Sequence, residues 1–169
     1  MRAFTAETGG GVSAEIDRDE ALLLQSLASQ VTTLLHEGNG TDPAIVRLLP
    51  DAYPGDATAS AEFRRFTSSG LIDRKVANAD TMMATLSPAI ESGEVHLDAQ
   101  QSAAWLRCLT DIRLTLASRL GIESDDQETT DDPVLRDLYD WLGFLQNSLV
   151  EALDAHVIEP LAEPPTGDE

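Results

Sequence analysis

Leucine recurs near the end of the chain at Leu135, Leu138, Leu142, Leu145, Leu149 and Leu153, in steps of 3, 4, 3, 4 and 4 residues. That spacing keeps one helix face apolar, so it predicts a long helix opening at Asp132-Pro133 and packed antiparallel on another long helix. A partner of the right length precedes it. Asp98 with Gln101 is a capping pattern, Trp105, Leu109, Ile112, Leu116 and Leu120 follow at helical steps, and Gly121 supplies the stop. At the other end of the chain, Asp17 with Glu20 caps a run of Leu23, Leu24, Leu27, Val31, Leu34 and Leu35 that Gly38 closes.

The middle of the chain is more broken. Thr41-Asp42-Pro43 opens a short helix that Pro50 stops, and Asp51–Asp56 reads as a turn. A third helix is predicted through Ala61, Phe63 and Phe66 to Ser69-Gly70, and a fourth from about Leu71 to Leu86, broken by Pro88 and Gly93. Two short stretches alternate with period two. Val12, Ala14 and Ile16 interleave with Ser13 and Glu15 beyond Gly9-Gly10-Gly11, which predicts a hairpin within residues 3–16. Val95 and Leu97 alternate with Glu94 and His96, giving a few extended residues at most. The expected fold is therefore mainly α: a bundle of about five to six helices with a short N-terminal β-hairpin, forming one domain over residues 1–155.

Charge narrows the function. The chain of 169 residues holds 30 acids against 11 bases, a formal −19. Proteins that grip nucleic acid or anionic membranes by their general surface neutralise phosphates with Lys and Arg, so this balance argues for protein partners instead. Six acids fall in an acidic loop at 123–132, and four more in a Pro-rich tail at 156–169 expected to be disordered. Without those ten, 20 acids still face 11 bases. No run of about 18 apolar residues exists for a membrane span. The N-terminus has no signal-like apolar stretch, and Cys108 stands alone, so a reducing cytoplasm is the expected home.

Reaction chemistry finds little support. His36, His96 and His156 lie far apart with no second ligand at helical spacing, so neither a metal nor another cofactor is expected. Gly9-Gly10-Gly11 lacks the Lys-Ser/Thr of a phosphate loop and precedes a strand rather than a helix. Cys108 has no neighbouring His to activate it and sits among core positions, which predicts a packed, weakly reactive thiol whose redox sensing would need a partner on another chain. Two basic clusters remain. Arg64, Arg65, Arg74 and Lys75 place 4 of the 11 bases inside twelve residues, which reads either as Arg64 and Arg65 pairing with bundle carboxylates such as Glu62 or Asp73, or as a docking patch for an acidic partner or for the chain's own acidic loop. Arg107 and Asp111 stand four apart and can bridge one helical turn, with Arg113 on another face.

The segments Arg47–Pro54, Ala61–Thr67, Trp105–Leu114 and Asp140–Gln146, taken in order, resemble an actinobacterial domain-of-unknown-function family. One branch of that family is the AosR oxidative-stress transcriptional regulator. The likeness runs from about Met1 to Leu153. It implies a cytoplasmic regulator with no catalytic residues to carry over. The redox-sensing branch is expected to use a cysteine pair, and this chain has Cys108 alone.

Three functions follow as expectations. The first is a non-enzymatic regulatory protein acting on transcription through contact with RNA polymerase or a sigma factor. The second is a DNA-binding regulator using Arg64, Arg65, Arg74 and Lys75 locally. The third is a hydrolase using clustered carboxylates, which nothing in the spacing recommends. The leucine-rich faces would also allow a homodimer.

Overall fold

The computed structural model describes residues 1–50, 57–122 and 132–157; for 57–68 and 156–157 it describes the backbone alone. The turn expected at 51–56, nearly all of the acidic loop and the tail beyond Val157 lie outside the described residues. Within them the chain is mainly helical, as its periodicity implies. Five helices, α1 (Arg18–Glu37), α2 (Pro43–Leu48), α3 (Ala57–Ser92), α4 (Ala99–Leu120) and α5 (Pro133–Val157), accompany strands β1 (Thr5–Ala6), β2 (Val12–Glu15) and β3 (Glu94–Leu97).

Helix starts fall where the capping residues stand. The Asp98 carboxylate accepts from the Gln101 N–H at 2.7 Å while the Gln101 side chain accepts from the Asp98 N–H at 2.9 Å. The Asp17 N–H likewise donates to Glu20 at 2.9 Å. Asp42 accepts from the Ala44 N–H at 2.8 Å ahead of α2, and Asp132 accepts from Val134 and Leu135 ahead of α5. Each cap satisfies N–H groups that the first helical turn cannot pair internally.

Two expected helix breaks are corrected. The one placed at Ser69-Gly70 does not occur: α3 is one helix of 36 residues. A mid-helix glycine costs about 1 kcal/mol relative to alanine. That is small beside the packing of α3 along α1, where Ala79, Met82, Leu86 and Ala89 are fully buried. Pro88 does not end the helix either. The carbonyl of Ala84, which its missing N–H would have bonded, lies on an exposed stretch of α3 where water can solvate it.

The expected hairpin forms and gains a third strand. The extended residues after α3 form β3, which pairs antiparallel with β2, so β2 is the central strand of a three-stranded sheet ordered β1-β2-β3. Val12 faces Leu97 and Ala14 faces Val95 in register, which puts all four apolar side chains on the buried face. This solves the hairpin's problem of marginal stability. Its third strand comes from the far end of α3. Gly11 makes the approach possible: its φ is +99°, and a Cβ there would lie 2.9 Å from the Leu97 carbonyl oxygen.

The core runs from the sheet through the helices. Trp105 is fully buried, with Phe4 edge-on to its ring at 5.7 Å. Leu142, Leu145 and Leu149 of α5 are wholly enclosed, as the leucine spacing requires. The Phe4 N–H also donates to Ser148 Oγ at 3.3 Å, tying the N-terminal segment to α5.

Candidate functional site

Helices α3 and α4 run antiparallel, and two contacts fix their register. The Trp105 indole N–H donates to Thr85 Oγ1 at 2.8 Å, and Lys75 Nζ reaches Asp111 at 2.5 Å. Because Arg74 precedes Lys75 and Arg107 lies one turn before Asp111, the same register brings all three bases to one groove. It is an open concavity of about 640 Å³, with Leu71, Ala77, Asn78 and Thr110 completing its walls.

The bases differ in what they can do. Lys75 is spoken for: its side chain is only 17% exposed, and it neutralises Asp111, whose carboxylate is 4% exposed. Burial pushes the Asp111 carboxyl above the usual carboxylate range, and the Lys75 ammonium works against that. Arg74 and Arg107 are exposed on opposite walls, and among the described residues neither has an ion-pair or hydrogen-bond partner. The groove thus has a neutralised floor and two guanidinium groups on its rim. Such a rim is built to take carboxylates or phosphates from outside.

The sequence clusters are regrouped accordingly. Arg74 and Lys75 fall in the groove as one cluster, while Arg64 and Arg65 lie earlier on α3, where side chains are outside the described residues. The intrahelical Arg107–Asp111 bridge does not form, because Asp111 turns inward to Lys75 and leaves Arg107 at the surface. Arg107 was therefore the groove residue that spacing along one helix concealed. The one hint was that Lys75 and Asp111 both fall on apolar stripes, where a lone charge has to find its opposite.

Arg113 performs a different task. It donates to Gln146 at 3.0 Å and lies over the Tyr139 ring at 4.4 Å, joining α4 to α5. The guanidinium lies against Gly143, where a Cβ would sit 3.4 Å from the guanidinium carbon, close to ordinary van der Waals contact. Cys108 is buried beside Asp111 and Lys75. Its thiol is pushed up to about 12, first by burial and then by the Asp111 charge, with Lys75 opposing. A thiol so disposed is almost never a thiolate near neutral pH.

No group of three or more His, Cys, Asp or Glu converges as a metal site among the described residues. No described helix is long and apolar enough to cross a membrane.

Fold and groove together define a small helical bundle clamped at one end by a three-stranded sheet, carrying an arginine-rimmed groove on a chain otherwise dominated by acids. The chain belongs to the family described as "Domain of unknown function (DUF2017)", whose model matches residues 1–153. No protein of curated function and no solved structure matches it.

Proposed function

We propose that this protein is a non-enzymatic, cytoplasmic regulator that acts on transcription through protein contact, with RNA polymerase or a sigma factor as the partner. The reading rests on one observation above the rest. On a chain of net charge −19, Arg74 and Arg107 stand unpaired among the described residues across a groove between two helices. The transcriptional setting comes from the likeness to the actinobacterial branch that includes the oxidative-stress regulator AosR. A disulfide within the chain is not an available signal, because Cys108 has no second cysteine to join.

The groove favours an acidic stretch of polypeptide over duplex DNA. Two free guanidinium groups suit a few carboxylates, whereas a duplex would bring many phosphates against a surface of the same sign. The test is direct binding of the purified chain to actinobacterial RNA polymerase, with and without its sigma factors. The expected result is binding that Arg74→Glu with Arg107→Glu weakens about tenfold or more, as loss of charge-assisted pairs at a contact centre does. Absence of binding by the wild-type chain, or tight and steeply salt-dependent binding to duplex DNA, would overturn the proposal.

A further inference from the structure

The chain holds three asparagines, and their settings differ. Asn78 lies inside α3 and Asn147 inside α5, where helical hydrogen bonding holds each following peptide N–H. Asn39 lies in the exposed loop between α1 and α2 and is followed by Gly40. Gly40 has no Cβ to shield its peptide nitrogen, and its N–H has no hydrogen-bond acceptor among the described residues. The Asn39 side-chain carbonyl accepts the Thr41 N–H at 3.2 Å. That turn folds the side-chain amide back over the Gly40 peptide and polarises its carbonyl carbon. An exposed amide carbon thus stands beside an unengaged peptide nitrogen, the two partners of a ring closure.

From this setting we propose that Asn39 is a self-modifying site whose product loosens α2 from α4. The Gly40 nitrogen gives up its proton to solvent base and attacks Asn39 Cγ. The new N–C bond closes a five-membered imide as the bond from Cγ to the amide nitrogen breaks, and ammonia leaves with the proton. One water then opens the imide on either side, giving aspartate or isoaspartate, with no change of oxidation state. In isoaspartate the main chain runs through Cγ and is longer by one methylene, and the former main-chain carbonyl becomes a pendant carboxylate. That carbonyl anchors α2. It accepts the Asp42 N–H at 2.8 Å, which places Asp42 to cap α2 through the Ala44 N–H and to pair with Arg119 of α4 at 2.8 Å. Once the chain is lengthened at 39, the contacts to Thr41 and Asp42 lose their geometry. A helix of six residues does not hold by itself, so a weakened cap loosens Ala44, Ile45 and Leu48 from their buried seats. None of these residues lines the arginine groove, so partner binding there is a separate property.

The experiment ages the full chain at mildly alkaline pH and follows each asparagine by peptide mass mapping that separates aspartate from isoaspartate. Gly40→Ala and Asn39→Asp are run beside it. The Gly40 φ lies outside the left-handed region and a Cβ there meets nothing within 4 Å, so the alanine variant keeps its fold. Conversion of Asn39 is expected, with isoaspartate as the main product and a rate that climbs with pH. Asn78 and Asn147 should convert at least about tenfold more slowly, and Gly40→Ala should slow Asn39 by about tenfold or more. The amides of Val46 and Leu49, bonded within α2 and its C-cap, should exchange on the order of tenfold faster in the aged chain, as loss of about one hydrogen bond's worth of local stability gives. They should be unchanged in freshly made Asn39→Asp, which adds the charge without the methylene. Survival of Asn39 for as long as Asn78 and Asn147 would overturn the modification. Conversion to isoaspartate with unaltered exchange at Val46 and Leu49 would refute the hold of Asn39 on α2.

Discussion

Lys75 on α3 and Asp111 on α4 form an ion pair of 2.5 Å in which the acid is the more deeply buried partner. The two halves of such a pair are not equivalent. Both border the groove, but the Lys75 side chain is 17% exposed and can turn its ammonium toward water, whereas the Asp111 carboxylate is only 4% exposed. We therefore expect Lys75→Met to cost about 3 kcal/mol at neutral pH, since it leaves a buried carboxylate without its counter-charge. Asp111→Asn should cost less, about 1–2 kcal/mol. Combining Lys75→Met with Asp111→Leu should recover much of the loss. The sign with pH follows from the direction of the shift. A carboxyl held above its unfolded range favours the native state when protonated, so the Lys75→Met penalty should grow as pH rises from about 4 toward 7. Urea unfolding of the three variants at several pH values checks each part, and a pH-independent penalty would contradict the burial argument.

The second contact that sets the α3–α4 register is neutral. Thr85 Oγ1 accepts the Trp105 indole N–H and donates to the Met82 or Thr81 carbonyl of its own helix. Thr85→Val keeps the shape and removes the acceptor, leaving a fully buried N–H unpaired. A loss of about 1–3 kcal/mol is expected, the desolvation cost of an orphaned donor. Trp105→Phe in the Thr85→Val background should then cost less than Trp105→Phe alone does in wild type, because the donor is already without a partner. Additive losses in the double-mutant cycle would show that the hydrogen bond does not couple the pair.

Helix faces and caps were legible in the sequence because they are local. Asp98 with Gln101, or six leucines at alternating steps, need only their own helix to make sense. What was not legible needed a second element. Val95 and Leu97 alternate over too few residues to announce a strand, and only pairing with Val12 and Ala14 makes them one. Gly70 and Pro88 look like breaks because local propensity disfavours helix there, yet packing of α3 on α1 carries the helix through both. The groove shows the same limit. Arg74 and Lys75 were visible as neighbours, but Arg107 joined them only once Asp111 had chosen Lys75 across the interface over Arg107 on its own helix.

His96 on β3 reaches across to the hairpin. Its Nδ1 lies 2.6 Å from Glu7, and its Nε2 lies 3.5 Å from Glu94. The hydrogen bond to Glu7 holds the imidazole above its ordinary range, with burial working against it and the Glu7 and Glu94 carboxylates adding to it. A group whose folded value is raised contributes stability in full below its unfolded value near 6.5 and loses it as pH climbs through the folded value. We expect Glu7→Gln to move the His96 titration, followed by NMR, back toward 6.5. It should also flatten the fall in sheet stability above that pH. An unchanged titration would mean the contact does not persist in solution.

Cys108 offers a test of whether the α3–α4 face stays closed. With its thiol pushed up to about 12, about one molecule in ten thousand carries a thiolate at pH 8. An unfolded chain would carry it in about a tenth of molecules or more. Labelling of the native protein by a thiol reagent should therefore run at least about a hundredfold slower than labelling in urea. Asp111→Asn should hasten it only slightly, because burial outranks the neighbouring charge as the cause. Native labelling at the unfolded rate would require α3 and α4 to part routinely. Arg74 and Arg107 would then not face each other long enough to seat a partner, so the thiol that takes no part in binding reports on the groove that does.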